Sequence, residues 1–288
     1  MPELIVLFLV AGSLIVLITS ALYAREARRP TPRTTAYALV RGLASEPSER
    51  HLDFRAWSVE RPGRVTIPVW EIDGHGDART IVMVHGWGQS RINMLARIGP
   101  FLPHARRIVM YDLRGHGEAD GGISRLGVDE ADDLHAVVDG LDSDDPLVLV
   151  GFSMGAAIAF EALPAMPSPV ERIIAYGVYD TFHKSFQGRV RVMGYPARPM
   201  THLAMGWFRL CGLRHRRVVP ALESASVPVD LLHGAHDIVS PLQHMQELDQ
   251  RAPHVTLHTF ERARHLDMPF VEPDRHAAVI QSILTDQA

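Results

Sequence analysis

One serine stands between two glycines in Gly151-Phe152-Ser153-Met154-Gly155, where an apolar run gives way to an alanine-rich one. Pro146 to Val150 are apolar and favour extended backbone, as a strand buried on both faces requires. After Ser153 the composition turns to Ala and long apolar residues spaced for a helix packed on a sheet. Glycines at 151 and 155 remove the Cβ atoms that would collide where such a strand and helix cross. The turn between them lifts the Ser153 hydroxyl out of the sheet, against a helix N-terminus whose dipole favours a developing anion. These residue types in this order suit nucleophilic attack by an alcohol.

An alcohol is a poor nucleophile at neutral pH and needs a base within hydrogen-bond reach, itself oriented by a third group. In a doubly wound sheet those partners come from loops at the carboxyl ends of later strands. The loop after 228–233 carries Asp237, and the loop after 255–260 carries His265; these are the expected acid and base. The chain has 16 histidines. Only His265 falls between the last strand and the last helix. His258 lies inside a strand and His236 and His244 flank the acid loop, so structural or solvent-facing places are expected for all three. Asp180, after the preceding strand, is the rival acid, and Asp267 is a weaker one because it sits too close to His265 in sequence.

A tetrahedral oxyanion needs backbone N–H donors. Met154 supplies one, directly after the nucleophile. Trp87, in His85-Gly86-Trp87-Gly88, is expected to supply the other, with its indole lining an acyl pocket and His85, Gly86 and Gly88 at the substrate. Asp112-Leu113-Arg114-Gly115-His116-Gly117 reads mainly as a brace, with His116 as substrate contact or base the lesser alternative. No His/Cys/Asp/Glu group has metal-ligand spacing and no G-x-G-x-x-G follows the first parallel strand, so neither metal nor nucleotide cofactor is expected.

The elements that must position these residues follow a consistent rhythm. Period-two stretches at 52–59 and 65–71, split by Arg61-Pro62-Gly63-Arg64, predict an antiparallel hairpin. Strands are then expected at 80–85, 108–112, 146–150, 173–176, 229–233 and 255–260, alternating with helices near 91–102, 129–141, 241–252 and 273–285. That alternation means a mostly parallel sheet covered on both faces, an α/β fold. The segment 178–226, with an apolar helix at 202–210, is too long for a plain connection. It is expected either as an excursion packed on the domain or as a small cap over the site.

Leu4 to Ala24 carries no charge and would span about 31 Å as a helix at ~1.5 Å per residue. No basic residue precedes it and no small-residue cleavage pattern closes it, so a retained membrane anchor is expected over a cleaved signal. Arg25, Arg28, Arg29 and Arg33 follow and predict that the globular part faces the cytoplasm. The expected organisation is an anchor at 1–24, a juxtamembrane linker at 25–50 with a short helix around 35–44, and one catalytic domain at 51–288. Of the 288 residues 22% are charged, the net charge is −4 and no basic block occurs in the body of the chain, which argues against nucleic acid as a partner. A single cysteine, Cys211, excludes an intrachain disulfide.

With the elbow around Ser153 and the order Ser…Asp…His, residues 55–288 resemble the α/β-hydrolase superfamily. His85-Gly86-Trp87-Gly88 is similar to its H-G-x-G oxyanion segment, Asp112 to Gly117 to its D-x-R-G-H-G loop, and Leu232-His233-Gly234 with Asp237 to its acid loop. One departure is that Glu118 stands where that loop usually continues to serine. The anchored, small-capped layout resembles lysophospholipase-, monoglyceride-lipase- and thioesterase-like hydrolases and the prolyl-oligopeptidase catalytic domain. The resemblance implies a serine hydrolase acting on carboxylic esters. A thioester or peptide substrate for the same triad is one alternative, and a non-catalytic binding scaffold at the membrane is the other.

Overall fold

The computed structural model describes residues 2–76, 79–142, 145–213 and 217–285. Helix α1 is Pro2–Ala27, α2 is Thr35–Arg41, and a 3-10 turn, Pro47–Arg50, leads into strands β1 (Phe54–Arg61) and β2 (Val65–Asp73). There follow β3 (Thr80–Val84), α3 (Arg91–Leu95), β4 (Arg107–Tyr111), α4 (Glu130–Asp139), β5 (Leu147–Phe152) and α5 (Met154–Ala162). Strand β6 (Val170–Tyr176) precedes α6 (Phe182–Val192), α7 (Ala197–Leu210) and α8 (Val218–Glu223). The chain continues through β7 (Val229–Gly234), α9 (Leu242–Arg251), β8 (Val255–Phe260), α10 (Met268–Val271) and α11 (Pro273–Thr285).

The strands form one sheet of order β1-β2-β4-β3-β5-β6-β7-β8. Strand β2 runs antiparallel to both β1 and β4, and every other pair is parallel. Strand β3 lies between β4 and β5, so chain order reverses at its carboxyl end, where crevices in such sheets form. Strands β3, β5 and β7 are buried along their whole length, because helices cover both faces. One face packs Leu134 and Val137 of α4, Ile158 of α5, Leu222 of α8 and Leu248 of α9. The other packs Ile92 and Leu95 of α3, Phe101, and Ile280 and Ile283 of α11.

Three expectations change. The helix foreseen at 91–102 stops at Leu95, and Gly99–His104 forms a 3-10 turn. Pro100 and Pro103 explain this, since neither can donate to an α-helical ladder. Next, 178–226 holds three helices, of which only the end of α7 was legible as a helix. Finally, the residues expected as a linker do not stand free of the domain. Helix α1 runs to Ala27, and its last turns bury Tyr23, Ala24 and Ala27 against Phe186, Val190, Ala204 and Phe208. Ser124 N–H donates to the Arg28 carbonyl. Glu118 takes Thr35 N–H and hydroxyl on one oxygen and Arg91 on the other. Glu118, which stands where the resembled loop usually has serine, therefore ties the start of α2 to the sheet's rim.

The described part of α1 before residue 20 is almost wholly exposed and has a mean hydropathy of 2.7 over its most apolar window. It is long and apolar enough to cross a membrane.

Buried imidazoles set the acid response of this fold. His276 accepts the Tyr176 hydroxyl at 2.7 Å, and burial holds its pKa down to about 4; burial does the same for His116, also to about 4. A depressed imidazole stays neutral in the folded chain while the unfolded chain takes up a proton near pH 6.5. Stability is therefore complete above pH 6.5 and lost as pH falls toward 4, by up to about 3 kcal/mol for each of the two. Asp112 acts oppositely, since burial raises it to about 6 despite Arg91. Melting curves from pH 7.5 to 4.5 are expected to show a falling Tm, with a shallower slope in His276→Gln. A flat profile would contradict this account.

Candidate active site

Strand β5 delivers Ser153 at φ 52°, ψ −105°, an unusual conformation for a residue with a side chain. Its N–H donates to the Tyr176 carbonyl on β6 at 2.8 Å, and α5 starts at the next residue. The approach of α5 to β3 is what the flanking glycine permits: a Cβ at Gly155 would lie 2.0 Å from the Val84 carbonyl oxygen. Any side chain there would push the helix, and the serine with it, off the sheet.

The loop after β8 places His265 Nε2 at 2.9 Å from Ser153 Oγ. The loop after β7 places Asp237 Oδ2 at 2.7 Å from His265 Nδ1. Asp237 is itself fixed, since its Oδ1 accepts the N–H groups of Val239 and Ser240 at 2.8 and 2.9 Å. Burial alone would raise its pKa, but the His265 hydrogen bond, the two imidazoles near it and the backbone donors hold it below the ordinary carboxylate value. The acid is thus ionised at neutral pH and fixes Nδ1 as the protonated nitrogen, leaving Nε2 to accept from the serine.

The rivals are engaged elsewhere. Asp180 pairs with Lys184, and Arg217 lies 3.8 Å away. Asp267 accepts the Arg264 N–H at 2.6 Å. His258 bonds Asp230, and His236 is exposed.

Met154 opens α5, so its N–H has no carbonyl one turn back to bond. Among the described residues the Trp87 N–H has no hydrogen-bond partner. Its indole donates to the Ala27 carbonyl of α1 at 2.7 Å, which holds the ring against the pocket beside Ser153.

One expectation is corrected here. His85 does not meet a substrate: it is fully buried, and Leu113 N–H donates to its Nε2 at 3.0 Å. Nδ1 must then carry the proton and donate to the Gly86 carbonyl at 2.8 Å. Burial, with His116 beside it, drives its pKa well below 6.5, so it is a neutral brace. His116 packs edge-on against it and is equally enclosed. Gly86 and Gly88 do not line the pocket either; their share in the site is the backbone path that presents Trp87.

The pocket over Ser153 has three walls. Tyr23 and Ala27 come from α1, Phe182, Ser185, Phe186 and Arg189 from α6, and Trp87, Leu126, Met154 and Tyr179 from the rim. Its empty volume, open mouth included, is about 390 Å³. Sequence patterning missed α1 and α6 as walls. A signal existed for α1: Ser20, Tyr23, Ala24 and Ala27 follow the i, i+3, i+4, i+7 spacing of one buried helix face. It also missed Gly177, at φ 56°, whose missing Cβ would come within 2.6 Å of the His265 carbonyl oxygen and 3.0 Å of its Nδ1.

Comparison with known proteins agrees with this architecture. Residues 79–193 match the family model described as alpha/beta hydrolase fold. The Bacillus subtilis protein YqkD, itself uncharacterized, is 27% identical over 63% of this chain and 63% of its own length. YisY of the same organism, an AB hydrolase superfamily protein, is 36% identical over 35% of this chain and 37% of its own. The chain thus aligns with less than two thirds of either relative. Among solved structures, an esterase from Pyrococcus furiosus superposes with a TM-score of 0.70 at 22% identity, covering 83% of this chain and 93% of that one. An esterase from Exiguobacterium antarcticum gives 0.63 at 20% identity, covering 81% and 100%. With its eight-stranded, mostly parallel sheet and this match over 79–193, the chain has the α/β-hydrolase fold.

Proposed function

We propose that the protein is a serine hydrolase that cleaves carboxylic esters through an acyl-enzyme on Ser153. The observation that carries this reading is the unbroken relay from Ser153 Oγ to His265 Nε2 at 2.9 Å and from His265 Nδ1 to Asp237 Oδ2 at 2.7 Å. Ser153 Oγ attacks the ester carbonyl while His265 Nε2 takes its proton, and the N–H groups of Met154 and Trp87 receive the negative oxygen. The imidazolium, facing ionised Asp237, returns that proton to the leaving alcohol as the tetrahedral species collapses. Water then repeats the sequence, losing its proton to His265, and releases the acid and the free serine. Two solved structures of similar fold, named as esterases, support ester chemistry.

The apolar pocket walls suit an acyl chain, and α1 suits a single-pass anchor; Arg25, Arg28, Arg29 and Arg33 after it favour a hydrolase domain on the cytoplasmic side. Acyl-enzyme chemistry is shared with thioesterases and serine peptidases, so substrate class is a matter for assay.

A fluorophosphonate probe is expected to label Ser153 in the wild type and not in Ser153→Ala. The wild type is also expected to turn over p-nitrophenyl esters faster than acyl-thioesters or peptide anilides. Folded protein that takes no label would end the hydrolase reading and leave a binding scaffold. In a second variant, Gly177→Ala, the new methyl presses on His265, and kcat/KM is expected to fall about tenfold or more with the fold retained. Unchanged kinetics would mean that the loop after β8 gives way at no cost.

A further inference from the structure

Among the described residues, the lining of the pocket over Ser153 holds one charged side chain, Arg189. Several partly buried arginines elsewhere in this chain meet carboxylates. Arg91 meets Asp112 and Glu118, Arg114 meets Asp133, and Arg172 meets Asp230. Arg97, buried without a carboxylate, donates to the carbonyls of Asn93 and Leu266. Arg189 has neither: among the described residues no carboxylate lies within ion-pair distance of it and no acceptor within hydrogen-bond reach.

Its guanidinium lies instead over the Trp87 ring, 4.9 Å from the centroid. Trp87 is itself pinned by its bond to Ala27. That stack fixes the plane of the fork while leaving its N–H groups unused. Burial pulls the group below the ordinary arginine value, and nearby Tyr23, Tyr179 and Asp237 only partly offset this. A half-buried cation with no protein partner, facing an apolar pocket, is placed to pair with an anionic ligand. One turn earlier on the same helix, Ser185 is buried and lines the same pocket. Positions i and i+4 share a helix face, so a hydroxyl and a guanidinium are presented together.

We propose that Arg189 and Ser185 form an anion subsite of this hydrolase. On that reading, which rests on the proposed function, the substrate is an anionic amphiphile. Its acyl ester is cleaved at Ser153, and its phosphate or carboxylate is held by the Arg189 fork. Phe182, Phe186 and Tyr23 cover the hydrocarbon, and the charged group meets the single cation among them. A neutral acylglycerol would leave that cation unpaired.

Two matched pairs separate the sources of the anion: lauroylglycerol phosphate against lauroylglycerol, and mono-p-nitrophenyl glutarate against p-nitrophenyl pentanoate. The full-length wild type is expected to favour the anionic member of at least one pair by about tenfold or more in kcat/KM, chiefly through KM. A phosphate preference and a carboxylate preference each support the subsite and name its ligand. Arg189→Gln is expected to erase most of that preference, and Arg189→Lys to restore part of it, because charge returns without the fork. Ser185→Ala is expected to weaken it by a few-fold. The proposal is overturned if the wild type shows no preference in either pair, or if Arg189→Gln slows both members alike, as loss of packing alone would. Fluorophosphonate labelling of Ser153, run on every variant, reports separately on the hydrolytic machinery. Labelled protein without preference removes only the anion subsite.

Discussion

Asp237→Asn is expected to lower kcat on a p-nitrophenyl ester by about 10⁴-fold with little change in KM. The reason lies in which atom each partner can use. Asp237 Oδ1 accepts two backbone N–H groups, from Val239 and Ser240, so an asparagine must turn its carbonyl oxygen toward them. The amide NH₂ then faces His265 Nδ1 in place of Oδ2. Two donors cannot share one hydrogen bond, and the neutral ring responds by moving its proton to Nε2. That nitrogen can no longer accept from Ser153 Oγ, and the nucleophile is left unactivated. Loop geometry is retained, so fluorophosphonate labelling should slow in parallel while Tm changes little. Asp180→Asn provides the contrast, since Asp180 pairs with Lys184 and not with His265. Its kcat is expected to remain within about twofold. If instead Asp180→Asn were the damaging change, the acid would have been misassigned.

What could be read from the sequence follows a physical division. The sheet was legible because its central strands are buried on both faces, and such strands appear as unbroken apolar runs, as in Thr80–Val84 and Leu147–Phe152. The meeting of Ser153, His265 and Asp237 was legible because chain order fixes which loops reach the carboxyl ends of β5, β7 and β8. Contacts made at long sequence distance were not legible. His85 looks like a substrate ligand in a glycine-rich segment, yet the Leu113 N–H that occupies it comes from 28 positions on. Gly177 looks like an ordinary strand-end glycine until His265 is placed against it. Helix α6 has a weakly apolar, arginine-rich sequence, and its pocket-facing side became visible only when Trp87 and Tyr23 were seen opposite.

The apolar N-terminal run shows how one composition conceals two environments. Residues 4–15 are exposed and suited to hydrocarbon, whereas Ser20, Tyr23, Ala24 and Ala27 are buried in protein. Hydropathy averages over both. The distinction lies in residue size, because small side chains at 20, 24 and 27 allow α1 to lie close against α7, with Tyr23 reaching Phe186 at a centroid distance of 5.0 Å.

Deleting residues 2–27 is therefore expected to damage the sheet domain and not merely to remove a helix able to cross a membrane. The loss uncovers Phe186, Val190 and Phe208, removes the buried Tyr23 ring, and frees the Trp87 indole from the Ala27 carbonyl. A large-to-small change at a buried aromatic costs about 3 kcal/mol or more, which for a domain of this size lowers Tm by roughly 6–12 °C. The effect on function should be larger still, because one of the three pocket walls goes with the helix. Activity on long-chain p-nitrophenyl esters is expected to fall by about tenfold or more relative to short-chain ones, whose hydrocarbon needs less of that wall. Tyr23→Ala in the full chain should reproduce the shift in chain-length preference without detaching the protein. Exchanging residues 4–15 for an unrelated apolar sequence should leave both Tm and chain-length profile as they were. If the deletion instead keeps the wild-type profile and melting temperature, α1 is an anchor alone, and the wall formed by Tyr23 and Ala27 has no part in binding the acyl chain.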